Sequence, residues 1–108
     1  MAVGNNATAI GTRALASANQ SVAIGIDSEA TDTNSTAIGR RAAANHIGAI
    51  AIGLDATTSL ANQAVLGTAI TSYVLPGITS ATSLARQGAV TGIITCLLYT
   101  SPSPRDRG

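Results

Sequence analysis

Very few side chains in this chain could do chemistry, and their spacing argues against most of it. His46 is the sole histidine. A zinc site or a nucleophile relay needs two or three partners at set distances. The one cysteine, Cys96, lies far off in a segment of different composition, so His46 reads as a polar turn residue. Asp27, Glu29 and Asp32 stand close enough to suggest an acid pair or a cation site, but a solvated strand face explains all three more simply. Arg40 and Arg41 suggest a ligand contact. They could equally be intersubunit partners of Asp27 or Glu29 one repeat earlier; coil stacking sets Arg41 directly beside Asp27, which makes a structural ion pair the better expectation. An exposed pair of that kind adds little to stability. Thr8 and Thr36 are of the type that lines ice-binding solenoid faces, yet they form no regular Thr-x-Thr row. No catalytic residue, cofactor site or metal site is expected.

The elements behind these residues follow from composition. The chain has 108 residues, enough for one domain. It is 45% hydrophobic but has no Phe, no Trp and only two Tyr. Its apolar content is mostly Ala with some Ile, so any core must be thin and its layers close. Charged residues make up 10%, with six Arg, no Lys and a net charge of +1. No basic stripe interleaved with aromatics is present, which argues against nucleic-acid binding. No apolar run approaches the ~18 residues of a membrane-spanning helix. The first residues lack the basic and apolar segments of a signal peptide. A single cysteine forms no internal disulfide.

The organising feature is a triplet. Ala9-Ile10-Gly11 recurs as Ala23-Ile24-Gly25, Ala37-Ile38-Gly39, Ala51-Ile52-Gly53 and, altered, Val65-Leu66-Gly67. Each interval is 14 residues, the signature of a solenoid built from stacked coils. Within one coil, residues 21–24 and 27–31 read as two short strands of about five residues each, separated by turns of about two. Gly25 punctuates one turn, where positive φ or close backbone approach is needed, and Asn, Asp and Ser suit the other.

Side chains alternate along a strand. One face of the first strand carries Thr8 and Ile10, Val22 and Ile24, Thr36 and Ile38, Ile50 and Ile52, and Ala64 and Leu66; the other carries Ala9, Ala23, Ala37, Ala51 and Val65. The second strand presents a small face (Ala14, Ala16, Ser28, Ala30, Ala42, Ala44, Ala56, Thr58). Its other, mostly polar face holds Arg13, Leu15, Asp27, Glu29, Arg41, Ala43, Asp55 and Thr57. Two-residue turns cannot span the ~10 Å between sheets that carry large side chains. The interior is therefore expected to be Ala against Ala, with the Ile row outward. The alternative places Ile inside and Ala outside. An outward row over five coils makes an apolar stripe about 24 Å long, and monomers rarely expose such a stripe. Association of copies through Ile10, Val22, Ile24, Ile38, Ile50, Ile52 and Leu66 is expected.

The ends depart from the pattern. Ala2-Val3-Gly4 looks like a copy shortened by half a period. Residues 68–74 are expected to finish one more coil, closing a head of residues 1–74. Pro76-Gly77 signals a turn, residues 80–87 carry a helix pattern with Ser80 or Thr79 as cap, and 89–95 read as a short strand. Together 75–95 are expected to lead out of the solenoid towards a neck or stalk. Residues 96–106 abandon the repeat and resemble the translation of a transposase adapter used in sequencing libraries. The segment 96–108 is accordingly expected to be a non-native, disordered tail. Without it the chain has four Arg, four acids and no cysteine, and its natural continuation past Thr95 is expected to be longer.

Ser21-Val22-Ala23-Ile24-Gly25 within a 14-residue repeat resembles the YadA-like head of trimeric autotransporter adhesins. The resemblance covers about residues 5–74, and residues 73–81 resemble the segment that comes after some of these heads. It implies an all-β, left-handed parallel β-roll, trimeric about an axis faced by the apolar row. The implied role is structural and adhesive, not enzymatic. Such a head would be displayed on the surface of a Gram-negative bacterium, attach to host matrix, cells or abiotic surfaces, and meet the membrane only through a distant C-terminal anchor. Ile47-Gly48-Ala49 in place of the usual Asn/Ser turn, and Ala64-Val65-Leu66-Gly67, are departures from the pattern. A phage tail-fibre segment is the rival reading. An acyltransferase built on six-residue hexads is disfavoured by the 14-residue period.

Overall fold

From Asn6 to Asn62, every seventh residue has its backbone in the left-handed region. Asn6, Arg13, Gln20, Asp27, Asn34, Arg41, Asp55 and Asn62 have φ between 59° and 63°, and Gly48 stands at 67°. The 14-residue coil is therefore two seven-residue half-coils, each a short strand followed by a tight turn. In the computed structural model, which describes residues 1–86, these half-coils build an all-β parallel roll. One sheet has five strands in order: β1 (Thr8–Ile10), β3 (Val22–Ile24), β5 (Thr36–Ile38), β7 (Ile50–Ile52) and β8 (Ala64–Leu66). The other has three: β2 (Leu15–Ala16), β4 (Glu29–Ala30) and β6 (Ala43–Ala44). Every pairing is parallel and shifted by 14 residues, so Ile10 lies beside Ile24, Ile24 beside Ile38, and Leu15 beside Glu29.

The turns explain the shortness of the strands. In the turns that start at Gly4 through Gly53, the amide of the fourth residue donates to the carbonyl of the first, as from Ser28 to Gly25 (3.3 Å), Ser21 to Ala18 (3.2 Å) and Ala49 to His46 (3.1 Å). The left-handed third residue also donates upward to the previous coil, as from Asp27 to Thr12 (3.0 Å) and Arg41 to Ile26 (2.9 Å). A non-glycine residue in this conformation costs about 1–2 kcal/mol. A retained hydrogen bond returns about 0.5–1.5 kcal/mol, so from Gln20 onward the ladder nearly offsets the strain at each turn. The turns are therefore part of the stack. Arg13, Asp27, Arg41 and Asp55, expected on the second strand, belong to them, and β4 begins only at Glu29.

The interior matches the expected geometry. Among the described residues the fully buried side chains are Ala14, Ala16, Ala23, Ala30, Ala37, Ala42, Ala44, Ala49, Ala51, Ala56, Ser21, Ser28, Ser35 and Thr58. These are two positions of each of seven consecutive half-coils. Ser21, Ser28 and Ser35 fill the position after the left-handed residue, where Ala stands in other half-coils. Their hydroxyls donate to the carbonyl of the turn's first residue at 2.5–2.9 Å. A buried hydroxyl so bonded carries no desolvation penalty of consequence, which is why Ser and Ala alternate freely there.

Glycine is required at one position of each coil. Gly11, Gly25, Gly39 and Gly53 have φ of 119–130°. A Cβ on Gly25 would lie 2.6 Å from the Gly39 carbonyl oxygen, and one on Gly39 would lie 2.7 Å from that of Gly53. Both reasons anticipated for glycine, positive φ and close approach, operate together.

At the N-terminal end, Ala2 bridges to Ala16 and the Val3 amide donates to the Ala16 carbonyl, so the half-length copy joins the three-stranded sheet. At the other end β8 is the last strand of the five-stranded sheet. Residues 68–74 form no strand: a turn closed by Thr71 onto Thr68 comes after Gly67, and no strand succeeds it among the described residues. The Ile47-Gly48-Ala49 departure leaves the turn intact, with the Gly48 amide donating to Thr33 at 3.0 Å. The chain divides at Ser72 and Tyr73 into two compact units. The second carries the turn at Pro76-Gly77 and α1 (Ala81–Arg86), capped by Ser80, whose Oγ accepts from the Ser83 amide at 3.1 Å. No described helix is long and apolar enough to cross a membrane. The expected strand over 89–95 and the tail 96–108 lie outside the described residues.

Enlarging the interior should be costly where deleting a hydroxyl is not. Ala37→Leu is expected to destabilise by about 1–3 kcal/mol or more through overpacking, and Gly39→Ala by at least about 1–3 kcal/mol. Ser35→Ala should stay within about 1.5 kcal/mol. Denaturant midpoints measured side by side check the ranking, and an Ala37→Leu variant as stable as Ser35→Ala would contradict it.

Candidate functional site, an outward aliphatic face

Parallel pairing without slip turns each repeat position into a column running along the stack. On the outer face of the five-stranded sheet there are two. One is Ile10, Ile24, Ile38, Ile52 and Leu66; the other is Thr8, Val22, Thr36, Ile50 and Ala64. Ile10 is 57% exposed, Ile38 36%, Ile52 39% and Leu66 53%, whereas Ala23, Ala37 and Ala51 between the columns are fully buried. Ile24, Val22 and Ile50 are half-buried. All seven residues singled out from the sequence thus lie on one face, brought together by register alone.

Sequence reasoning missed how that face continues. Past each column glycine comes an outward turn residue, Thr12, Ile26, Arg40 or Leu54, and Ile26 and Leu54 are exposed. Next come the left-handed residues, which alternate Arg13, Asp27, Arg41, Asp55. The column Thr8, Val22, Thr36, Ile50 alternates in the same phase. Odd coils therefore carry Thr and Arg, and even coils carry an aliphatic residue and Asp. The surface repeat is 28 residues, twice the backbone repeat. The signal is present in the sequence, but only a column-by-column alignment exposes it.

The ion pairs follow this alternation and correct one expectation. Arg13 holds Asp27 through two hydrogen bonds, Nε to Oδ1 at 2.5 Å and Nη2 to Oδ2 at 3.0 Å. Arg41 holds Asp55 in the same way at 2.6 and 2.9 Å. The pairing expected for Arg41 was with Asp27. Arg41 does stand one coil from Asp27, but Asp27 is already taken by Arg13, and each arginine reaches to the following coil. The Arg13 guanidinium, by its hydrogen bonds, holds the Asp27 carboxyl below the usual aspartate value, with Arg40 and Arg41 adding weaker attraction. Arg41 does the same for Asp55.

Among the described residues the other polar candidates assemble no reactive centre. His46 Nδ1 lies 2.9 Å from the Thr58 hydroxyl, which ties one turn to the interior. Asp27 is bound to Arg13, and Thr31 donates to Asn45 Oδ1 at 2.7 Å. Among the described residues no three His, Cys, Asp or Glu side chains come together as metal ligands.

Family comparison decides what these columns belong to. The family model for the YadA head domain repeat (2 copies) matches residues 2–28, 16–42 and 30–56, each match one coil further along. The chain belongs to this family. YadA head repeats are structural and adhesive modules. No curated protein and no solved structure matches the chain.

The paired carboxylates set an acid dependence. Their folded values lie below the unfolded ones, so their contribution is complete above the ordinary aspartate range. It is lost as pH falls through the folded values. The expected observation is a carboxyl titration of Asp27 and Asp55 by NMR with midpoints under the usual aspartate value, rising for Asp27 alone in Arg13→Ala. Because both pairs are exposed, the accompanying stability change should be small and should shrink further in salt.

Proposed function

We propose that this chain is the head of a trimeric surface adhesin. In this reading three copies pack Ile10, Val22, Ile24, Ile38, Ile50, Ile52 and Leu66 around a common axis. The observation that supports it is the placement of alanine inside each coil and of the branched aliphatics outside. Fully burying an exposed aliphatic side chain is worth roughly 1.5–3 kcal/mol. Roughly half of each is still exposed here, so five coils offer on the order of 4–8 kcal/mol per chain. Over three chains that is about 12–24 kcal/mol, comparable with two association steps at about 4–15 kcal/mol each. Family membership supports the same assembly and the same place, outside a Gram-negative cell.

The adhesive surface would then be the polar flank, made of β2, β4, β6 and the turns. It offers a shallow, repetitive array of Ser, Thr, Asn, Arg and Asp side chains, suited to an extended matrix polymer, a cell surface or an abiotic solid. Residues 75–95 would carry the chain from the head towards a stalk.

Sedimentation equilibrium of the whole chain tests the assembly, with a species of three chain masses expected at micromolar concentration. Ile24→Asp should give a folded monomer, because a carboxylate buried at the axis without a partner is strongly unfavourable. Wild-type chain that stays monomeric, or an Ile24→Asp variant that still trimerises, would remove the outward face from the interface.

A further inference from the structure

The outward face of the five-stranded sheet has two borders, and both alternate from coil to coil. Along one runs the column that opens each strand, Thr8, Val22, Thr36 and Ile50. Along the other, past the glycines, runs the turn column Thr12, Ile26, Arg40 and Leu54. Its members stack one coil apart, because the Asp27 amide donates to the Thr12 carbonyl, that of Arg41 to Ile26 and that of Asp55 to Arg40. The two borders alternate in phase. A coil with Thr at the first border has Thr12 or Arg40 at the second, and a coil with Val22 or Ile50 at the first has Ile26 or Leu54 at the second.

Both borders carry groups that one chain leaves without partners. Ile26 is 45% exposed and Leu54 58%. The two ion pairs take Arg13 and Arg41, and among the described residues the exposed Arg40 guanidinium enters neither. The side chains of Thr36 and of Asn34, two residues before it, hydrogen-bond to none of the described residues.

We propose that the two borders meet between copies, the turn column of one chain on the strand column of the next, with all copies at equal height. In a ring closed by rotation the contact between neighbours is heterologous, so unlike borders face one another. At equal height Leu54 lies on the neighbouring copy's Ile50, Ile26 on its Val22, and Thr12 beside its Thr8. The Arg40 guanidinium, which only donates, meets the acceptors on the neighbouring copy's Thr36 and Asn34. An offset of one coil would instead set Arg40 on Val22 or Ile50, burying its charge against aliphatic groups that offer no acceptor. The inference rests on association along this face and adds which edges touch and at what height.

Arg40→Leu with Leu54→Arg reverses the phase of one border in two adjacent coils without changing composition. Both positions are exposed turn residues, so circular dichroism should match wild type. In sedimentation equilibrium of the full chain, the concentration needed for half-assembly should rise about tenfold or more. Adding Thr36→Ile with Ile50→Thr reverses the other border as well and should restore wild-type assembly. A trimer that ignores the first exchange, or that the second fails to rescue, would overturn this seam and leave the assembly standing. A monomeric wild type would overturn both. Cysteine pairs read the same seam without the exchanges: in a Cys96→Ser background, Arg40→Cys with Thr36→Cys should oxidise to covalent trimers faster than Arg40→Cys with Ile50→Cys. The opposite order, or equal rates, would overturn the equal height.

Discussion

The closeness of the two sheets is the constraint from which the remaining features derive. Each half-coil closes through a turn with two central residues, and a chain reversing that sharply leaves room for methyl and hydroxymethyl groups only. Ala and Ser at two of every seven positions are the consequence. With so little apolar area in its own interior, one chain draws much of its cohesion from hydrogen bonds between coils. These run through strands and turns alike, from Gly25 to Ile10 in one turn and from Gln20 to Asn5 in the other. The column of glycines belongs to the same constraint, because coils stacked at strand spacing cannot admit a Cβ where Gly25 meets Gly39.

A thin interior displaces the large side chains to the surface. In an ordinary domain isoleucine is among the most buried residues; in this roll Ile10, Ile38 and Ile52 are among the more exposed. The repeat then multiplies whatever each coil carries. One isoleucine per coil becomes a stripe, one glycine becomes a seam, and one alternating charge becomes an Arg–Asp ladder. Small sequence choices therefore acquire collective effects, and a substitution at one coil is read against the unchanged coils on either side.

Much of this is legible in the residues alone. The triplet period dictates stacking, and the Ala and Ile rows separate cleanly by alternation. Turn length then decides which row lies inside. The strand boundaries are less legible. Asp27 and Arg41 resemble polar strand residues by type, and only their left-handed φ reveals them as turn residues. Asn in the equivalent places, at 6, 34 and 62, is a better cue, since Asn adopts that conformation readily. The end of the roll is also hidden. Residues 68–74 contain suitable Thr, Ala and Ile, yet the two-residue spacing of small side chains stops at Thr58, and Gln63 and Val65 stand in the next pair of interior positions.

The 28-residue alternation raises a question of register that the isoleucines alone leave open. A column of near-identical aliphatic residues looks the same after a shift of one coil, so it would hold neighbouring copies together without fixing their relative height. The second column does not have that symmetry. Thr8 and Thr36 differ from Val22 and Ile50, and an offset of one coil would set hydroxyls against aliphatic chains. A sparse polar residue in an apolar seam is a known way of specifying register at some cost in stability. If copies associate along this face as proposed, Thr8 and Thr36 would do this, while the Arg–Asp ladder on the flank repeats the distinction in charge. The backbone repeat makes the stack, and the longer surface repeat gives each coil a distinguishable height within it.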